Sequence, residues 1–493
     1  MVPNVCGATL AEIAREIPGA SVLGDPATRV RDVRHDSREV TPGDLFAARP
    51  GAKTDGARFA RDAVARGAAA VLTPKALDVD VPQLVAPEVE RALALAASAV
   101  WSHPTWHLDV VGITGTNGKT TTAWLVEHAL QKLGARPGLL GTVAQRFGAL
   151  SWPAVHTTPE ADDLARRFAA MRDAGATHAV MEVSSHAIAL ERVGAVRFRV
   201  AALTNVTQDH LDFHGTMENY VAAKRRLFEG LGPAASVLNV DDATGADLAR
   251  TVPNAITYSR AGAEATLRVL EGGARRGGID ARVATPEGEV RLRSPLAGAH
   301  NVENLLCALG ILGAMEHPYA RAAEALADAT GAPGRLERVL PSAGEAPFEV
   351  LVDYAHTPDA LERVLATVRA TTPGRVFCVF GCGGDRDPGK RPLMGAAVAR
   401  AADFAIVTND NPRTEDPARI ADAAVAGVRG VRPDGYAVLL DRREAIAAAV
   451  GMARAGDTVL IAGKGHEPYQ EAHGVRSPFD DRDEARAALD ARG

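Results

Sequence analysis

The sequence predicts an α/β protein of three domains. These are a mixed α/β block over 1–108, a central P-loop-type parallel sheet with a small antiparallel insert over 109–335, and a C-terminal doubly wound, Rossmann-like unit over 336–493. Three observations carry this reading. The chain has 493 residues, enough for about three domains of ordinary size. Short apolar β-branched runs alternate with helix-period segments along most of it. A Gly-rich string after one such run opens a helix at 112–122, and a Gly/Pro break at 330–338 precedes a second round of alternation.

In chain order, Asp62–Leu72 reads as a helix end, a glycine and a buried strand, and Trp101–His107 with Pro104 as a connector. Val110–Thr114 is a buried strand. Thr120–Leu133 is a helix with Ala123, Val126, Leu130 and Leu133 on one face. Strands follow at His178–Val183, Val200–Thr204 and Ser236–Asn239, with a helix at Glu218–Phe228. Over 264–295, Leu267, Val269, Val283, Val290 and Leu292 alternate with polar residues between Gly-Gly pairs, the pattern of an antiparallel insert. Beyond the break, strands are expected at Glu349–Val352, Arg375–Phe380, Phe404–Val407, Ala437–Leu440 and Thr458–Ile461, with helices between.

Composition narrows the function classes. A hydrophobic content of 46% excludes a largely disordered chain. A net charge of -6 and 4% aromatics give no nucleic-acid footprint. No apolar stretch approaches bilayer length, and Glu12, Arg15 and Glu16 interrupt any signal-peptide core. Cys6, Cys307, Cys378 and Cys382 are too few for a disulfide framework, and Cys378/Cys382 has no second pair for zinc. A cytoplasmic protein is the expectation.

Gly112–Thr122 reads GITGTNGKTTT. Between a strand and a helix, glycines let backbone N–H groups approach phosphate oxygens, the helix N-terminus adds positive charge, Lys119 adds a point charge, and Thr120 offers a hydroxyl to Mg²⁺. The pattern is a variant, because Ile113 stands where the standard motif has its first glycine. Gly381–Gly384 fails the dinucleotide pattern at Arg386, so a nicotinamide cofactor is not expected. Asp212-Phe213-His214-Gly215 fits a GTPase D-x-x-G, but no Asn is followed by Lys, so the guanine-reading motif is missing. His210 and His214 have H-x₃-H spacing without a local third ligand or thiolate, which is weak for zinc.

Several strings then converge: TGTNGKTT (114–121), EVSSH (182–186), TNVTQDHLDFH (204–214), Lys224, HNVEN (300–304), GRLE (334–337) and DYAHTP (353–358). Together they resemble the Mur ligases, ATP-dependent amide-forming enzymes of peptidoglycan synthesis. DSREVTPGDLF (36–46), GCGGDRDPGKRP (381–392), DNPR (410–413) and GKGHE (463–467) resemble the members that add meso-2,6-diaminopimelate to UDP-N-acetylmuramoyl-L-alanyl-D-glutamate.

The resemblance implies an acyl phosphate formed with ATP and Mg²⁺, then attacked by the amine. It implies that Gly115, Thr116, Asn117, Gly118, Lys119, Thr120, Thr121, Asn304, Arg335 and Asp353 contact ATP, and that Thr120, Glu182, His210 and Lys224, as a carbamate, hold metal. Without it, Glu182 is a strand-end carboxylate, Lys224 a solvated helix lysine, and Asn301 and Asn304 helix caps. Ser37, Thr157, Thr158, Ser184 and Arg192 are implied for the UDP substrate. Leu190 and His156 stand where some relatives carry Gln and Asn, which leaves two amide contacts in doubt.

Arg386, Asp410, Asn411, Pro412, Arg413, Gly463 and Glu467 are implied for diaminopimelate. A planar guanidinium such as that of Arg413 can grip its distal carboxylate bidentately, and Glu467 would pair with the distal ammonium. On residues alone, DNPR is a Pro-containing turn before a helix. The alternatives are a lysine-adding relative, a folate polyglutamylating ligase and a non-enzymatic NTP-binding switch. Arg413 argues against the first, the N-terminal string and DNPR against the second, and the Arg386/Arg413 pair against the third. A monomer without nucleic-acid or membrane partners is expected.

Overall fold

The computed structural model describes residues 7–51 and 55–492; Cys6 lies outside them. The described residues fall into two compact units, one within Met1–Arg268 plus Leu306–Ala322 and one within Val269–Leu305 plus Ala323–Gly493.

The first unit carries a two-stranded antiparallel ribbon, Ala8–Thr9 with Arg29–Val30, and two larger sheets. The N-terminal sheet runs Ser21–Leu23, Gln83–Val85, Ala70–Thr73, Leu45–Ala47, Val33–Arg34, parallel except at its first pair. Its apolar residues pack with helices Leu10–Glu16 and Val89–Val100. The second sheet centres on Asp109–Thr114, flanked in parallel by His178–Glu182 and Phe198–Leu203. Pro137–Leu140 extends one side, and Ala235–Asn239 then Ile256–Ser259 extend the other. Such strands bury both faces, which is why they read as unbroken apolar runs. Helix Lys119–Lys132 starts one residue before the sequence-based limit. Helix Met217–Glu229 extends the expected Glu218–Phe228 by one residue at each end.

Pro137–Leu140 escapes sequence rules because it begins Pro-Gly, ordinarily a turn signal. Gly138 is there for closeness, since a Cβ would lie 2.5 Å from the Met171 sulfur on a covering helix.

In the second unit Gly278–Thr285 pairs antiparallel with Gly288–Ser294, following Leu267–Arg275 in strand order, as the alternation over 264–295 predicts. Besides a two-stranded ribbon, Tyr469–Ala472 with Val475–Pro478, a six-stranded sheet runs Glu337–Val339, Glu349–Asp353, Thr458–Ala462, Val376–Cys382, Phe404–Asn409, Tyr436–Val438. All pairs but the first are parallel. The strand of this sheet that comes last in the sequence, Thr458–Ala462, lies between two earlier ones. Their carboxyl ends therefore bring DYAHTP, GKGHE, GCGG and DNPR to one edge, where doubly wound sheets bind ligands.

Candidate active site

The phosphate loop follows strand Asp109–Thr114. Gly115 has φ 145° and Gly118 φ 87°, and a Cβ on Gly115 would sit 1.9 Å from the Thr204 hydroxyl, so glycine is required there on two counts. The loop is held by the next strand's exit: Thr116 N donates to Asn205 O at 2.7 Å, Asn117 N to Asn205 Oδ1 at 3.0 Å, and Thr204 Oγ1 to Asn117 O at 2.6 Å. Lys119 Nζ donates to the Gly115 and Thr116 carbonyls at 2.8 and 2.9 Å. Thr120 and Thr121 are buried on the first turn of the helix.

Lys224 corrects the bland expectation. It is 1% exposed, and its Nζ donates at 2.9 Å to the same Gly115 carbonyl that Lys119 uses. Its position 4.6 Å from the Tyr220 ring adds a cation–π contact. Burial, and then the Lys119 charge, hold the Lys224 amine well below the ordinary lysine range, opposed by Asp209.

Glu182 also departs from its bland reading as a solvent-facing carboxylate, being 1% exposed. Thr120 Oγ1 donates to its Oε2 at 2.9 Å, Thr142 Oγ1 to Oε2 at 3.1 Å, and Thr142 N to Oε1 at 2.8 Å. Carboxylate and hydroxyl oxygens are a hard donor set that suits Mg²⁺. The structure thus joins Thr120 to Glu182 and Lys119 to Lys224. His210 sits apart from these bonds, in a ring cluster with His186 at 4.8 Å and Tyr220 at 6.2 Å. Among the described residues no three His, Cys, Asp or Glu side chains are grouped so that they could hold a metal ion.

Thr157 and Thr158 lie beside Glu182. Thr157 Oγ1 is 3.0 Å from Thr142 Oγ1, and Thr158 Oγ1 donates to the Glu182 carbonyl at 2.8 Å. Ser184 caps helix Ser185–Ala189 and donates its amide to Thr158 Oγ1 at 3.0 Å. Arg192 donates to Thr158 O at 3.1 Å and pairs with Glu160 at 2.6 Å, while Arg49 grips the other Glu160 oxygen at 2.8 Å. Ser37, Leu190, Arg192, Arg49 and Arg38 line one cleft of ≈ 950 Å³. His156 is exposed, and Leu190 presents an apolar side chain there.

Sequence reasoning missed the buried support of this cleft. His35 Nδ1 meets Asp162 at 2.9 Å, and Arg166 joins Asp162 and Asp32, each at 3.0 Å. Burial alone would lower the His35 imidazole, but the Asp162 carboxylate outweighs it and holds it above the usual value. In return, against its own burial, Asp162 is held at about 2. Only Arg166–Asp162 has helical i, i+4 spacing; His35 and Asp32 lie 127 and 134 positions from their partners Asp162 and Arg166, so spacing carried no signal for those two contacts.

Asn301 and Asn304 are inside helix His300–Ala314 rather than capping it: Asn301 Nδ2 donates to Ala297 O, and Asn304 Nδ2 to Asn301 Oδ1, both at 2.7 Å. Arg335 lies 5.1 Å from the Tyr354 ring. Asp353 accepts from Leu336 N at 2.7 Å and Ala355 N at 2.8 Å; burial pushes its carboxyl up despite Arg335.

A second cleft, of ≈ 320 Å³, is lined by Gly383, Arg386, Asp410, Asn411, Arg413, Gly463 and Glu467 among others. A Cβ on Gly383 would lie 3.1 Å from Arg413 Nη1 and 3.7 Å from Arg386 Cγ, so the Arg413 guanidinium and the stem of Arg386 both pack against this glycine. Arg413, at φ 52°, donates to Gly384 O at 2.6 Å. Pro412 is buried, and DNPR is indeed also a turn before helix Pro417–Val431. Gly463 has φ 120°, and a Cβ would approach Asp410 Oδ2 to 2.5 Å. Lys464, quoted in GKGHE but given no role, is fully buried beside Asn411.

This fold and these sites define a phosphate-loop ligase, and three family models cover most of the chain: Mur ligase family, catalytic domain (29–106), Mur ligase middle domain (113–312) and Mur ligase, glutamate ligase domain (334–465). The chain belongs to the Mur ligase family. It is 45% identical to the UDP-N-acetylmuramoyl-L-alanyl-D-glutamate--2,6-diaminopimelate ligase of Parasynechococcus marenigrum, over 98% of this chain and 99% of that one. With the enzyme of the same name from Streptomyces coelicolor it shares 45% identity, covering 99% and 97%. A solved structure of that name superposes with a TM-score of 0.76 at 34% identity, covering 99% of each chain. The MurF ligase of Thermotoga maritima in complex with ADP, 18% identical, shares the fold with a TM-score of 0.59, covering 94% and 97%.

Proposed function

We propose that this protein is an ATP-dependent ligase acting in the cytoplasm. It joins meso-2,6-diaminopimelate to the γ-carboxylate of the D-glutamyl residue of UDP-N-acetylmuramoyl-L-alanyl-D-glutamate, in peptidoglycan synthesis. The observation that carries the amino-acid assignment is the second cleft, whose lining includes Arg386 and Arg413 together with Glu467. That charge pattern complements a side chain ending in both a carboxylate and an ammonium. The kinship to ligases of that name supports the same reading. Residues 1–108 would hold the UDP end, 109–335 ATP and 336–493 the amino acid.

Two anions must meet when the carboxylate attacks the γ-phosphorus of ATP, releasing ADP and leaving an acyl phosphate. Lys119 would neutralise the transferring phosphoryl group. Thr120 and Glu182, with His210 and carbamylated Lys224, would hold Mg²⁺, which supplies further charge neutralisation. The lowered amine of Lys224 favours the neutral form that combines with CO₂. The cleft bearing Arg192 and Ser37 would anchor the nucleotide-sugar peptide, and Arg413 would aim the amine by gripping the distal carboxylate. The amine then attacks the acyl carbon, phosphate leaves, and a proton is lost to give the amide.

The test is phosphate release across a panel of amino acids with the UDP-dipeptide present. Diaminopimelate should be used far better than lysine. Equal use of both would overturn the amino-acid assignment. Turnover without the UDP-dipeptide would favour an NTPase switch.

A further inference from the structure

Strand Thr458–Ala462 delivers Lys464, through the left-handed Gly463, to a buried position beside Asn411 and Glu467, which line the amino-acid cleft. The side chain is 0% exposed, yet its ammonium has one hydrogen-bonding acceptor, Asn411 Oδ1 at 3.0 Å. It is otherwise held by charge, with Glu467 Oε2 at 3.5 Å, Asp410 Oδ1 at 3.8 Å and the Tyr469 ring at 5.4 Å. Asn411 Oδ1 also accepts from Glu471 N at 2.9 Å, so its oxygen is identified by two donors and its Nδ2 must point the other way. That Nδ2 donates to Glu467 Oε2 at 3.0 Å. Asn411 Nδ2 and the Lys464 ammonium therefore both approach one oxygen of Glu467, Oε2, and Glu467 lines the cleft.

Charge points the same way. The nearest other ions, Arg442 and Asp481, neutralise each other through two bonds of 2.7 Å. Lys464 then stands against two carboxylates, Asp410 and Glu467, so these three groups keep one net negative charge.

We propose that Lys464 is a positioning residue for the amino-acid substrate: it pins Oε2 of Glu467 and balances Asp410, so that Oε1 carries the single charge that takes the distal ammonium of diaminopimelate. This rests on the proposed function. Without the buried cation, two carboxylates share a dry wall. One then takes up a proton, or Glu467 swings toward water. Either way the aimed charge is lost.

The experiment compares Lys464→Met with wild type, using diaminopimelate and 2-aminopimelate, which lacks the distal ammonium. The KM for diaminopimelate should rise on the order of ten- to a hundredfold, the worth of a charge-assisted bond. The KM for 2-aminopimelate, ATP and the UDP-dipeptide should stay within about twofold, since none of them uses the aimed charge. Should the methionine variant not fold, Lys464→Gln, which still donates to Asn411 but carries no charge, must show the same split. An unchanged or lowered KM for diaminopimelate, or equal rises for both amino acids, would overturn the inference. A wild type that does not use diaminopimelate would instead overturn the proposed function.

Discussion

Lys224→Met keeps the length of the side chain and removes a buried charge, so stability and activity should move in opposite directions. The substitution forfeits the 2.9 Å bond to Gly115 O, worth about 1–3 kcal/mol. That carbonyl keeps its 2.8 Å bond from Lys119, so it is not left bare. Against this stands the cost of burying an ammonium beside another, several kcal/mol for a desolvated ion. The relief should win.

The pH dependence follows from the lowered amine. The folded protein releases the Lys224 proton at a pH where the unfolded chain, with its value near 10.5, still binds it. Stability therefore rises with pH through that window, by up to about 1.4 kcal/mol per unit for one whole proton, and the gain is complete above the unfolded value. Urea unfolding of the ligand-free protein between about pH 7 and 9 would read this slope. The methionine variant should be the more stable at the lower end and should lack that slope. Bicarbonate should stabilise wild type alone, by forming the carbamate only in the folded state. Phosphate release should be abolished in the variant, and in Lys224→Ala, which vacates the position, a small carboxylic acid should partly restore it. Identical slopes for the two proteins, or full activity of the unrescued variant, would refute the reasoning.

Lys119→Ala should abolish phosphate release while the circular dichroism spectrum stays native; near-normal turnover would sink the phosphate-loop assignment. Arg413→Ala should raise the KM for diaminopimelate by about a hundredfold or more, two charge-assisted bonds being lost, with much smaller changes for ATP and the UDP-dipeptide. Arg413→Lys should not restore it, because an ammonium lacks the fork. Asp481→Asn leaves the fully buried Arg442 without its counter-charge and should cost about 3–5 kcal/mol in chemical denaturation; a loss under ~1 kcal/mol would show that water or Asp410 replaces it.

The parallel strands were legible because burial on both faces leaves unbroken apolar runs such as Val110–Thr114 and Thr458–Ile461. Pro137–Leu140 was not, because its Pro-Gly start follows from contact with a helix that begins two dozen residues later. The site strings were legible for a related reason. TGTNGKTT, EVSSH, TNVTQDHLDFH, DYAHTP, DNPR and GKGHE each lie at the carboxyl end of a strand, and loops there answer to ligand chemistry rather than to packing. What no string carries is which charges meet across the fold. Arg49, Arg192 and Glu160 share one contact set although 111 positions separate Arg49 from Glu160.

The two lysines differ in how far this limit reaches. Lys224 could have been recognised as buried. In helix Met217–Glu229 the buried positions are Tyr220, Ala223, Lys224, Leu227 and Phe228, an i, i+3, i+4, i+7, i+8 stripe with a lysine in its middle. A cation on the apolar face of an amphipathic helix must either snorkel or be put to use, and four apolar neighbours leave it nowhere to snorkel. Lys464 offers no such pattern, because a residue two positions past a strand, between glycines, has no face to belong to. Its burial arises only when Asn411, Asp410 and Glu467 arrive from two loops. Charge on an element's inner face is therefore readable from periodicity, whereas charge in a loop acquires meaning only from its tertiary neighbours.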